Sequence, residues 1–89
     1  MSKSRKILDQ MRRAPQNVAY DDLAKICEEH FGRPRQQGTS HAVYATPWAG
    51  DPRVNIQKGK GGKAKEYQVK QVLAAITKLE AQQLEEEEQ

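Results

Sequence analysis

The hydrophobic positions change their spacing along the chain, and each change predicts an element. Between residues 4 and 13, Ile7, Leu8 and Met11 recur at i, i+1 and i+4, giving a short helix one apolar side. Ser4 is placed to cap this helix and Pro15 to end it, after which "PQNV" reads as a turn. In "AYDDLAKICEEHFG" the residues Leu23, Ile26, Cys27 and Phe31 form one helical stripe. Asp21 and Asp22 sit in the first turn, where the helix dipole favours anions, and Gly32 offers a left-handed stop. Val18 or Tyr20 can staple the start of this second helix.

From residue 33 to 57 the period shortens to two. "RPRQQ", "HAVYAT" and "RVNIQ" read as strands separated by "GTS" and "PWAGDP", whose Gly and Pro residues punctuate turns. The expected result is a three-stranded antiparallel meander in which Val54 and Ile56 supply an apolar face that helices must cover. After the loop "KGKGGKAK" at 58–65, the helical period returns with Val69, Val72, Leu73, Ile76 and Leu79, predicting a long helix from about Glu66 to Gln83. "LEEEEQ" then reads as a frayed, solvated acidic tail. The predicted class is α+β: an α-β-β-β-α order with helices on one face of the sheet, preceded by an extra N-terminal helix over 4–13. Residues 1–84 form one domain with its core at about 17–80, and 85–89 form the tail.

With 89 residues, the chain buries only about 60–65 % of its unfolded surface, which leaves a small core. The single cysteine excludes an internal disulfide, and no Cys/His set has the spacing of a zinc site. No window has the roughly 18–20 apolar residues of a membrane span, and "MSKSRKILDQMRRAP" lacks the apolar run of a signal peptide, so the expected compartment is the cytoplasm. The net charge of +3 is unevenly spread: residues 1–65 hold 13 Lys+Arg against 6 Asp+Glu, whereas residues 66–89 hold 2 against 6. A basic body of this kind suits a polyanion, although a solvated basic surface accounts for it equally well. The four glutamates 85–88 are candidates for folding back over that body and competing with RNA.

Several catalytic constellations can be set aside on chemistry. Ser40 and His41 are neighbours in an extended segment, so their side chains are directed to opposite faces, and no acidic residue nearby in sequence orients the imidazole. His30 and His41 are the only histidines, and no carboxylates cluster at ligand spacing, so no metal site is expected. His30 fits the C-terminal turn of its helix, and Cys27 fits a core position better than a nucleophile. The 58–65 loop matches neither GxxxxGK[ST] nor GxGxxG. Its glycines and Lys58, Lys60, Lys63 and Lys65 nevertheless suit phosphate contact at a helix N-terminus, the alternative being a flexible solvated connector. Strand parity groups His41 with Val43 and Ala45, and Ala42 with Tyr44; with Tyr44 facing the helices, His41 falls on the more open face.

The ordered segments "NVAYDDLAKICEEHFG", "RQQGTSHAVY", a turn, "RVNIQ", a basic loop and "YQVKQVLAAI" together resemble the HicA family of bacterial toxins. These are small mRNA interferases with a double-stranded-RNA-binding-domain-like fold. The resemblance covers about residues 17–80, and its sharpest element is Gly38, Ser40 and His41 followed by Tyr44. It implies that His41 is the catalytic residue and that a HicB-type antitoxin is the protein partner. The N-terminal helix, the acidic tail and Ala42, where many members carry a second histidine, depart from the pattern. The expected function is therefore a toxin of a toxin-antitoxin system: a metal- and cofactor-independent endoribonuclease, monomeric when free, that cleaves mRNA by general acid-base chemistry at His41. Arg33, Arg35, Gly38, Ser40, Lys58, Lys60, Lys63 and Lys65 are the expected RNA contacts. The rival is a non-catalytic RNA-binding module of the same fold, and a weaker third idea is a protein-interaction adaptor acting through the acidic tail.

Overall fold

Ile7 and Met11, one turn apart on the same side of a helix, are both buried in the computed structural model, which describes residues 3–35 and 41–87. They belong to α1 (Lys3–Arg13), whose last turn carries Arg12 and Arg13, where cations complement the dipole. The helix starts before Ser4, so this residue does not act as the expected cap. Its hydroxyl instead donates to the Glu29 carboxylate on the next helix at 2.6 Å. The expected turn is a single 3-10 turn, Pro15–Asn17, in which Pro supplies the φ and needs no amide partner.

Helix α2 (Tyr20–Phe31) follows the expected stripe: Leu23, Ile26 and Cys27 are fully buried. Val18 precedes the N-cap residue Ala19 and, like Leu23 in the first turns, lies in the core, the arrangement of a hydrophobic staple. Gly32 ends the helix with φ 84°, and its amide donates to the Glu28 carbonyl at 3.0 Å.

The described residues contain a two-stranded antiparallel sheet, β1 (His41–Tyr44) and β2 (Val54–Gln57), paired His41 to Gln57, Ala42 to Ile56, Val43 to Asn55 and Tyr44 to Val54. Val54 and Ile56 are buried while Asn55 and Gln57 are only half-buried, so the alternation expected of β2 holds; in β1 Tyr44 is buried on the core side, whereas Ala42 and Val43 are both half-buried. The expected first strand over 33–37 is not seen in its described part. Residues 33–35 are not in a strand, and Pro34 has no amide to give to a ladder. One backbone bond, from the Arg35 amide to the Val43 carbonyl at 2.6 Å, runs alongside β1. Gln36 and Gln37 lie outside the described residues.

Helix α3 (Glu66–Glu87) buries Val69, Val72, Ala75, Ile76 and Leu79 and packs chiefly on β2. It runs past the expected end at Gln83 through Leu84 and into the glutamates, because Gln, Leu and Glu are all good helix formers. At 1.5 Å per residue α3 is about 33 Å long, with its glutamates at the far end from the 58–65 loop. An acidic tail folded back over that loop would require the helix to break. Helix α1, expected as an add-on, completes the same core: Met11 is fully buried, and α1 packs on α2, α3 and the 3-10 turn.

Candidate functional site

The end of the hairpin at which β1 begins and β2 stops gathers most of the expected chemistry. His41 is the first residue of β1 and pairs with Gln57, the last of β2, and the loop 58–65 starts at the next residue. By register, position 41 shares a face with Val43, Asn55 and Gln57. The backbone amide of Gln57 donates to Oε1 of Gln68 on α3 at 2.8 Å, and this buried side chain also donates through Nε2 to the Tyr67 hydroxyl. A buried amide with both ends engaged ties the end of β2 to α3.

The glycine-lysine loop is built, not slack. Lys58 pairs with Ala64 and Lys63 with Ala19 as isolated bridges. The Gly59 amide donates to the Lys63 carbonyl at 2.7 Å, and the Ala64 amide to the Val18 carbonyl at 2.8 Å. A Cβ at Gly59 would stand 3.0 Å from the Lys63 carbonyl oxygen, a tight approach that favours glycine there. A 3-10 turn, Lys60–Gly62, closes the loop with Gly61 and Gly62 at positive φ. The backbone is thus held while Lys58, Lys60 and Lys63 remain exposed and Lys65 half-exposed. The Lys58 ammonium also lies 5.6 Å from the centre of the Tyr20 ring, a cation-π contact.

The two arginines fall elsewhere. Arg35 lines a cleft of about 290 Å³ with Val43, Thr46, Trp48 and Arg53, at the end of the hairpin remote from Gln57. Trp48 is fixed there by its indole N–H, which donates to the Pro52 carbonyl at 2.9 Å. The Phe31 ring stands edge-on to it at 6.3 Å, and the Lys78 ammonium lies 4.8 Å from its ring centre. Arg33 is exposed, and Gly38 and Ser40 lie outside the described residues.

Two residues to which the sequence assigns structural roles behave accordingly. Nδ1 of His30 lies 2.9 Å from the Ile26 carbonyl one turn back on its own helix, which holds the ring against α2. Burial, reinforced by the charge of Glu28, pushes the Cys27 thiol up to about 12, so it stays protonated and is a poor nucleophile. Tyr44 is raised as well, first by burial and then by Cys27 and Glu28. Among the described residues, no three His, Cys, Asp or Glu side chains gather as metal ligands, and no helix is long and apolar enough to cross a membrane.

Sequence reasoning missed Asn55, whose Oδ1 is buried without a hydrogen-bond partner among the described residues, on the face that includes position 41. Strand alternation alone assigns such a residue to solvent, and only the register brings it diagonally next to position 41. Arg53 and Trp48 likewise carry no sequence signal beyond their place in a strand and a turn. No protein-family model, curated protein or solved structure matches this chain.

Proposed function

We propose that this chain is an RNA-cleaving toxin of the HicA type, with His41 as its general acid-base group and the 58–65 lysines holding the phosphate backbone. The observation that carries the reading is the register. The histidine singled out by its Gly-Ser-His-aromatic setting pairs with Gln57, and the basic loop begins at the next residue. The basic loop thus starts one residue beyond the partner of position 41, and ammonium groups that hold a phosphate backbone there would stabilise charge that develops on phosphoryl oxygens. In this reading His41 takes the proton of a ribose 2′-hydroxyl as it attacks the adjacent phosphate, or protonates the departing 5′-oxygen, and water shares the other task. Asn55, whose buried Oδ1 has no hydrogen-bond partner among the described residues and which is diagonal to position 41, is the positioning residue we assign to the imidazole. The fold in this reading is double-stranded-RNA-binding-domain-like, with the chain before β1 running along its free edge. The Arg35–Val43 bond supports that edge. A HicB-type antitoxin would then be the protein that covers the basic end of the hairpin.

One observation favours a non-catalytic RNA-binding module instead: Asn55, the polar neighbour at position 41, does not titrate and cannot serve as the second acid-base group. Incubating the purified protein with single-stranded RNA in EDTA separates the two readings. Cleavage into discrete fragments supports the toxin, whereas saturable binding with intact RNA supports the module.

A further inference from the structure

Helix α1 does more than complete the core. Lys3, Lys6 and Gln10 lie on one stripe beside Ile7 and, together with the glycine turn, wall a pocket of about 570 Å³. This is the size of a small-molecule site. Ile7 and Val18 contribute apolar lining, and Gly61, Gly62 and Lys63 of the loop line it as well. The bridge between Ala19 and Lys63 and the Ala64–Val18 bond fasten that loop to the start of α2, so the pocket does not depend on a loose segment.

We propose that this pocket binds a nucleoside monophosphate group. Three lysines, Lys3, Lys6 and Lys63, line it against a single acidic residue, Asp22. That surplus matches a phosphate monoester, which carries a charge of about −1.5 to −2 at neutral pH. Gly61 and Gly62 are successive left-handed residues, with φ 67° and 76°, and a Cβ at either would meet nothing within 4 Å. Their backbone is therefore open to close approach by an anion. The apolar lining suits a flat base, and the side-chain amides of Gln10 and Asn17 suit a base's donors and acceptors. Nε2 of Gln10 is engaged with the Asn17 carbonyl at 3.0 Å, which orients that amide. The pocket is independent of the reading of His41, and none of its walls comes from β1. The same chemistry can arrive as a free nucleotide or as the 5′-phosphorylated end of an RNA.

Calorimetric titration of the full-length chain carrying His41→Ala, so that no RNA is consumed, tests the site with adenosine 5′-monophosphate, inorganic phosphate and adenosine as probes. The nucleotide should bind at least tenfold more tightly than either fragment. Lys6→Ala and Lys63→Ala, both at exposed positions, should each weaken it at least fivefold, while Lys70→Ala on α3 leaves it unchanged. A 5′-phosphorylated oligoribonucleotide that outbinds its 5′-hydroxyl twin in a Lys6-dependent manner identifies an RNA end as the natural occupant. Equal binding of the twins, with the mononucleotide still bound, identifies a free nucleotide. The proposal is overturned by the absence of saturable nucleotide binding below about 1 mM, by inorganic phosphate binding as tightly as the nucleotide, or by affinity that neither lysine variant changes.

Discussion

The two ends of the β1–β2 hairpin are secured by different physics. At the end where β1 leads into residues 45–53, side chains hold the chain. Trp48 is pinned by its indole bond to Pro52, by the edge of Phe31 and by Lys78, with buried Tyr44 and Val54 beside them. At the other end, main-chain bonds do the holding: Gly59 to Lys63, Ala64 to Val18, and Gln57 to the Gln68 side chain. Of the lysine side chains there, Lys60 and Lys63 are exposed, and Lys58, also exposed, has a single ring contact, with Tyr20. An end held through its side chains should show its mutations as lost stability. An end held through its backbone can lose its side chains cheaply and should show its mutations as lost ligand binding.

Trp48→Ala is the largest expected change. Full burial of an aromatic ring gives a cost of about 3–5 kcal/mol on truncation, and Trp48 is half-buried, so a loss of roughly 2–4 kcal/mol is expected in denaturant unfolding. The salt dependence of RNA binding should not move. Next comes alkaline pH, which acts on the same packed side. Cys27 and Tyr44 are raised in the folded chain, so the unfolded chain releases their protons first. Stability should be level below about pH 9 and fall as pH rises towards 12, by up to about 1.4 kcal/mol per pH unit for each group that titrates only when unfolded. Melting temperatures from pH 7 to 11 measure this, and Cys27→Ala should flatten the decline. The smallest effect on stability belongs to the basic end. Replacing Lys58, Lys60, Lys63 and Lys65 with alanine should change unfolding free energy by only about 1 kcal/mol, most of it from the lost Lys58–Tyr20 contact. It should nevertheless reduce the slope of log affinity against log salt by about 0.7 for each phosphate of single-stranded RNA that is no longer neutralised. A large loss of stability with an unchanged slope would reverse the comparison.

What could be seen in the sequence was local. The stripes of α2 and α3, the Gly32 stop and the alternation of Val54 with Ile56 depend on residues a few positions apart, and the structure keeps all of them. The misplacements came from competition that spacing does not register. Ser4 has a better partner in Glu29, 25 residues away, than in its own helix end. The glutamates after Leu84 have the charge of a solvated tail but also the propensity of a helix, and propensity wins: α3 continues through them to Glu87. On the functional side, the loop lysines were legible because they are contiguous. Their sharing of a pocket with α1 was not, since Lys3 and Lys6 come to line it with Gly61 and Gly62 only once Ile7 and Met11 are buried. Asn55 was invisible for a related reason: its relation to position 41 exists only in the strand register.

If position 41 performs proton transfer while the loop beside it holds RNA, chemistry and binding should separate on mutation. Single-turnover cleavage of a single-stranded RNA in EDTA, measured alongside RNA affinity for the natural chain and for His41→Ala, reads both at once. The expected result is a cleavage rate lower by about two to four orders of magnitude with affinity unchanged within a few-fold. Undiminished cleavage by the His41→Ala chain would contradict that division of labour.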